Sequence, residues 1–419
     1  MIYVLLLVAL VAGWFGIVSA GFMQADIAYF LMFISVIVLI LYADRKKIKL
    51  HGIVFMRRTK KGKDFITSVA NRSPKLWSTL GTIGVVVAIF ALVISSYLMI
   101  KIASSIIIEK AKIGAAFILP GPVSSPTLIS GALIFPWWIW VIGVMAVMIP
   151  HEFFHGIMFR LYKIRIKSVG WLLLAILPGA FVEPDERQLK AAKRSVKLKA
   201  YAAGSFANLI VAFIFMLIVI LLSFAKPAPM GLFYFRVNDS PAYYANMTGF
   251  ITEIGGMKIV SFNDISSSLS MYKPGDEIII KTMQNSSMYA SFNGEFDLIT
   301  PKSAIISNLG ETREYKIMLA KHPDNGGPYI GIANPAPVYE AKSSLLFQTI
   351  YILVWVFLFS LGIGIINLLP LKPLDGGLLF EEILSKFTTR SAIITKVVSI
   401  VMLALLVFAI IGPFVIGLF

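Results

Sequence analysis

Two histidines four residues apart, with a glutamate directly after the first, stand in Met148-Ile149-Pro150-His151-Glu152-Phe153-Phe154-His155-Gly156. On a helix this spacing places His151 and His155 one turn apart on a single face, where both imidazoles can reach one zinc ion at about 2.0–2.1 Å. Glu152, one residue on, can stand close to water activated by that ion and act as a general base. A catalytic zinc needs a third protein ligand and one open position for water. The chain has no cysteine, which removes thiolate ligands, disulfides and cysteine nucleophiles together. His51 lies in a basic stretch and His322 in a polar insert, so the third ligand is expected to be an Asp or Glu at the depth of the motif. Asp375 stands out, in Asn367-Leu368-Leu369-Pro370-Leu371-Lys372-Pro373-Leu374-Asp375-Gly376-Gly377.

The elements that must position these residues are apolar. Of 419 residues, 58% are hydrophobic and 14% charged, against roughly 45–50% and about 25% in soluble domains, and the mean hydropathy is +0.83. The apolar residues gather into runs long enough to cross a hydrocarbon layer about 30 Å thick. About seven spanning helices are expected, near Ile2–Phe22, Ile27–Tyr42, Leu80–Ile102, Leu133–Phe159, Leu198–Ser223, Leu345–Leu369 and Ala392–Leu418. The first run lacks a basic leader, and Val18-Ser19-Ala20 is only a faint cleavage signal, so it reads as a retained helix. His151, Glu152 and His155 close the fourth run, and Asp375 follows the sixth. Ionisable groups at such depth are costly and rarely kept without a partner or a task. Pro370 and Pro373 must interrupt a helix, and broken backbone at membrane depth is tolerated where it lines a buried or watered cavity.

The net charge of +16 does not point to nucleic acid, because the basic residues are blocked into short stretches between apolar runs. Residues 44–75 carry eleven Lys or Arg against two Asp, which marks that loop as cytoplasmic. Alternation then puts the ends of the fourth and sixth runs on the same side, and both are followed by basic residues. One insert, 226–340, breaks the apolar pattern with alternating segments and the turn signals Lys273-Pro274-Gly275-Asp276 and Asp324-Asn325-Gly326-Gly327. It is expected to be a mostly β domain, near neutral in charge and extracytoplasmic. Asn238, Asn246 and Asn285 head Asn-x-Ser/Thr triplets compatible with that side.

His151-Glu152-x-x-His155 in one membrane segment and Asn367-x-x-Pro370-x-x-x-x-Asp375-Gly376 in another resemble the site-2 protease family of intramembrane zinc metalloproteases. Gly204-Ser205-Phe206-Ala207-Asn208 is similar to that family's glycine-and-asparagine segment, and Pro178-Gly179-Ala180-Phe181-Val182 to its membrane-dipping hairpin. The insert resembles a PDZ domain through Ser240-Pro241-Ala242, Gly249 to Ile259 and Lys273 to Ile278, with a helix expected near Ser266–Met271. The resemblance divides the chain into N-terminal membrane helices (1–43), a basic cytoplasmic loop (44–78), the first part of a catalytic core (79–225), the PDZ-like domain (226–340), the second part of the core (341–391) and a C-terminal helix (392–419).

The resemblance implies one zinc per chain on His151, His155 and Asp375, Glu152 as general base, and an oxyanion role for Asn367. Asn208 is either a grip on the substrate backbone or an interhelical hydrogen-bond partner. Gly331, in Tyr329-Ile330-Gly331-Ile332, belongs either to a loop that receives a peptide's C-terminal carboxylate or to a simple turn. The partners implied are the lipid bilayer and single-pass membrane protein substrates, trimmed beforehand by another protease, in a multi-pass protein of the cell membrane. Two other readings stay open: an ion or metal transporter, since broken helices and midplane charges also build ion pathways, and a catalytically silent scaffold or receptor.

Overall fold

A computed structural model describes residues 2–20, 23–52, 54–59, 62–109, 114–123, 126–129, 131–174, 177–285, 288–289, 304–306, 309–323, 325–340 and 344–416. Phe22 and Leu418, expected ends of apolar runs, and Asp324 of the second turn signal lie outside them. The backbone divides into two compact units, Met1–Leu217 with Val354–Phe419, and Ile218–Leu353.

The first unit opens with helices α1 (Ile2–Ser19) and α2 (Ala25–Ala43). The stretch expected to be a basic loop is structured: it forms strands β1 (Ile48–His51) and β2 (Val54–Thr59) and helix α3 (Lys63–Arg72). Apolar residues alternate with lysine in Ile48-Lys49-Leu50, the period a strand requires. Ile66 and Ala70, four apart, give α3 a buried face. Helix α4 (Pro74–Ile108) takes Pro74 in its first turn, where the missing N–H is no loss, and buries Gly81, Gly84, Ala88, Leu92, Ser95 and Met99 in one stripe.

Strands β3 (Phe117–Gly121), β4 (Thr127–Ile129) and β5 (Ala132–Pro136) form a small sheet in the order β3-β5-β4. The fourth apolar run, expected to be helical from Leu133, therefore becomes helix α5 only at Trp137 (Trp137–Leu161). Pro136 is extended, with ψ 122°, and the alternate burial of Leu133 and Phe135 is that of a strand. Pro150 lies inside α5 and removes the hydrogen bond to the carbonyl of Ala146, one residue before the first histidine. Strands β6 (Ile166–Leu174) and β7 (Leu177–Pro184) pair antiparallel and extend the earlier strands into a sheet of order β1-β2-β6-β7. Asp185 caps helix α6 (Glu186–Ala191) by accepting the N–H groups of Arg187 and Gln188 at 3.1 and 3.3 Å. Helix α7 (Arg194–Ser223) follows. A Cβ on Gly84 would stand 2.8 Å from the Phe206 ring, so α4 and α7 meet where only glycine fits.

The second unit is mostly β. Its elements are β8 (Gly231–Arg236), α8 (Pro241–Tyr244), β9 (Phe250–Ile254), β10 (Met257–Lys258), α9 (Phe262–Leu269), β11 (Glu277–Asn285), β12 (Met288–Tyr289), β13 (Ala304–Ile306), β14 (Leu309–Met318), β15 (Ala320–Lys321), β16 (Pro328–Tyr329) and β17 (Ile332–Glu340). The main sheet runs β12-β13-β17-β8-β9-β11-β14, with β10 on β9. Leu232, Ile251, Ile254, Ile265, Ile278, Ile280 and Ile317 fill its core. The helix expected near Ser266–Met271 starts earlier because Ser261 and Asp264 form a capping box. The N–H groups of Val260 and Ser261, donated to the Asp264 carboxylate, hold its pKa below the ordinary value.

Helix α10 (Ser344–Ile366) stops short of the expected Leu369, and an irregular stretch leads to α11 (Asp375–Leu384) and then α12 (Ser391–Ile416). Leu368, Leu369 and Leu371 of that stretch are buried, Leu368 against Ala88 and Ala202, the other two against Met99 and Met402. Ser399 on α12 accepts the Lys372 N–H at 3.1 Å and donates to the Pro370 carbonyl at 3.4 Å, meeting backbone groups that no helix satisfies. Ser399→Ala is expected to cost about 1–3 kcal/mol, read as a lower thermal midpoint of the detergent-purified chain, with Ser399→Thr recovering most of it. Six helices are long and apolar enough to cross a membrane among the described residues: α2, α4, α5, α7, α10 and α12, the last two over Leu345–Ile366 and Ser391–Pro413. In α1, counted above as a seventh, the apolar stretch Leu5–Ser19 is shorter.

Candidate metal centre

Helix α5 presents His151 and His155 on successive turns, with Glu152 directly after the first, and the two imidazole centroids lie 4.8 Å apart. Asp375 comes from the first residue of α11. The backbone folds back tightly to deliver it: the Gly376 N–H donates to the Asn367 carbonyl at 2.8 Å, and a Cβ on Gly376 would fall 2.3 Å from the Leu368 carbonyl. The three inward atoms form a compact triangle, with His151 Nε2 and His155 Nε2 3.2 Å apart and Asp375 Oδ2 3.5 and 3.4 Å from them. Tetrahedral bonds of about 2.0–2.1 Å place ligand atoms roughly 3.3–3.4 Å apart. The donor set therefore stands at zinc spacing, and its N, N, O chemistry suits zinc.

Room for an ion comes from α7. A Cβ on Gly204 would lie 2.3 Å from His155 Nε2 and 2.5 Å from His151 Nε2, inside the space the triangle faces. Each member of the triad also has a partner on α7. His155 Nδ1 is 2.8 Å from the Ala200 carbonyl, the Asn208 amide is 3.1 Å from His151 Nδ1, and Ser205 Oγ donates to Asp375 Oδ2 at 3.0 Å. Glu152 Oε2 accepts the Val182 N–H of β7 at 2.7 Å, so the β6–β7 hairpin holds the glutamate in place.

The sequence profile of Peptidase family M50 matches residues 139–410, a span that carries α5, α7 and the Asp375 turn. The chain belongs to peptidase family M50. A protein of Methanocaldococcus jannaschii described as uncharacterized is 28% identical over 360 residues, 84% of this chain and 85% of its own. M50 membership agrees with the resemblance to site-2 proteases, and with six apolar helices it makes the chain a multi-pass integral membrane protein of a metallopeptidase family.

Within this M50 chain the structure brings together His151, His155 and Asp375 and sets Asn208 against His151, while Glu152, directly after His151, bonds the Val182 N–H. Asn367 lies at the end of α10, its backbone bonded to Ile363 and Gly376. Asn208 is fully buried, and its amide meets His151 rather than open space. Gly331 belongs to the second unit, in left-handed backbone at φ 89°, where a Cβ would collide with Ser240. It lines a groove of about 350 Å³ between α9 and Gly327–Ile332. Reading the sequence left Ser205, Val182 and the Ala200 carbonyl without assigned roles. Ser205 and Asn208 carried a signal, being two polar residues three apart in an otherwise apolar run, but the backbone groups carried none.

Proposed function

We propose that this M50 chain is an intramembrane zinc endopeptidase that cuts membrane-spanning substrates. The observation that carries the reading is the triangle of His151 Nε2, His155 Nε2 and Asp375 Oδ2 at 3.2–3.5 Å, with Glu152 next to the first ligand. One zinc per chain, held there, supplies the Lewis acidity that acidifies water and polarises a peptide carbonyl. Glu152 takes the proton from the attacking water and passes it to the leaving amine nitrogen. The Val182 N–H fixes one oxygen of that carboxylate. In this reading the Asn367 side-chain amide donates to the carbonyl oxygen as charge develops on it. A substrate helix hides its carbonyls in its own hydrogen bonds, so substrates with helix-weakening residues near the scissile bond are favoured.

The second unit is read as a PDZ-like domain on the extracytoplasmic side. Its groove between α9 and the Gly331 turn suits a peptide C-terminus bound by backbone N–H groups and strand addition. Substrates already shortened outside by another protease offer such an end. The centre itself is assigned to the cytoplasmic side because the residues that follow α5 and the Asp375 turn are basic. The test is elemental analysis of the detergent-purified chain. About one zinc per chain is expected, lost in His151→Ala and in Asp375→Ala. Zinc that survives Asp375→Ala would separate the two motifs, and a wild type that cannot be loaded would return the transporter and scaffold readings.

A further inference from the structure

Helix α7 contributes no ligand to the triad, yet it touches every member of it. From Ala200 to Asn208 it offers a carbonyl to His155 Nδ1, a gap at Gly204, a hydroxyl to Asp375 Oδ2 and an amide to His151 Nδ1. Ser205 and Asn208 are both fully buried. We infer that Ser205 and Asn208 are positioning residues that set how tightly the His151–His155–Asp375 site holds zinc, Ser205 by orienting the carboxylate and Asn208 by orienting the His151 ring. The inference rests on the metal-centre reading above.

An imidazole that meets a metal through Nε2 carries its hydrogen on Nδ1, and that N–H needs an acceptor. Both Nε2 atoms face the triangle, so both Nδ1 atoms are donors. His155 Nδ1 has the Ala200 carbonyl. His151 Nδ1 stands 3.1 Å from the Asn208 amide, whose oxygen and nitrogen have nearly the same shape, and the Gly204 carbonyl also meets the His151 ring. With Nδ2 turned to the ring, donor faces donor, and Asn208 Oδ1 is buried without a partner among the described residues. Turning the amide over makes Oδ1 the acceptor of the His151 N–H and locks the ring with Nε2 inward. Ser205 acts on the third ligand in the same sense. Its hydroxyl bonds the same carboxylate oxygen that stands 3.5 and 3.4 Å from the two Nε2 atoms, so Asp375 is held to present that oxygen.

The test is a zinc competition titration against a chromogenic chelator, with the full-length chain in detergent, together with the visible spectrum of the cobalt-loaded protein and the thermal midpoint of the metal-free chain. Asn208→Leu keeps the bulk and removes the acceptor; Ser205→Ala removes the donor. Each is expected to weaken zinc binding about ten- to hundredfold and to shift the cobalt bands, with the metal-free midpoint unchanged. Asn208→Asp, which keeps an acceptor facing the ring, is expected to bind within about threefold of wild type. Wild-type affinity in Asn208→Leu and Ser205→Ala would overturn the inference, as would an Asn208→Asp variant as weak as Asn208→Leu. Both of those results leave the metal centre standing, whereas a wild type that takes up no zinc overturns the centre and this inference together.

Discussion

Gly204→Ala is expected to strip zinc from the chain and abolish cleavage while leaving α7 helical. Alanine is the better helix former, by about 0.5–1 kcal/mol, so the substitution does not unwind the helix. Its methyl group, however, would lie 2.3 and 2.5 Å from the two histidine Nε2 atoms. Both rings would have to swing away, and His155 could not do so without leaving the Ala200 carbonyl and His151 without leaving Asn208. Elemental analysis is expected to fall to background with unchanged far-ultraviolet circular dichroism. A Gly204→Ala chain that keeps one zinc would show that the ion sits elsewhere.

Glu152→Gln is expected to have the opposite signature: zinc kept, cleavage lost. Glutamine has nearly the same shape, and its carbonyl oxygen can still accept the Val182 N–H, so the geometry beside the triad persists. What disappears is the base that removes a proton from water, a contribution of typically 10²–10⁴-fold. The measurement is the initial rate of cleavage of a membrane-spanning peptide in reconstituted vesicles, alongside zinc content. Cleavage at the wild-type rate with zinc present would remove Glu152 from the chemistry.

The residues of the candidate centre were legible in the sequence because the cost of such groups in apolar runs is legible. His151, Glu152 and His155 sit where an apolar run tolerates few ionisable groups, and Asp375 follows two prolines that forbid a continuous helix. The β unit announced itself through turn chemistry: Gly275 takes φ 97° in the turn anticipated at Lys273–Asp276. What stayed hidden depends on contacts across the chain. The strands β1 and β2 were masked by basic residues whose charge reads as loop, although β2 pairs along its whole length with β6 more than 100 residues later. The start of α5 was masked because Ala132–Pro136 is as apolar as the helix it precedes. The partners of the triad on α7 and β7 include main-chain carbonyl and N–H groups, which no side-chain pattern encodes.

The placement of the ligands also governs when the centre can exist. His151, His155 and all of α7 are made first, and Asp375 follows only after the entire β unit and α10 have been translated. At about 5–20 residues per second, the more than 200 residues between His155 and Asp375 take roughly 10–40 s to synthesise. During that interval a nascent chain already inserted in the bilayer carries a two-histidine half-site and no complete triad. In a newborn copy the three-residue cluster is thus complete only once the segment that bears Asp375 has folded back against α4 and α7.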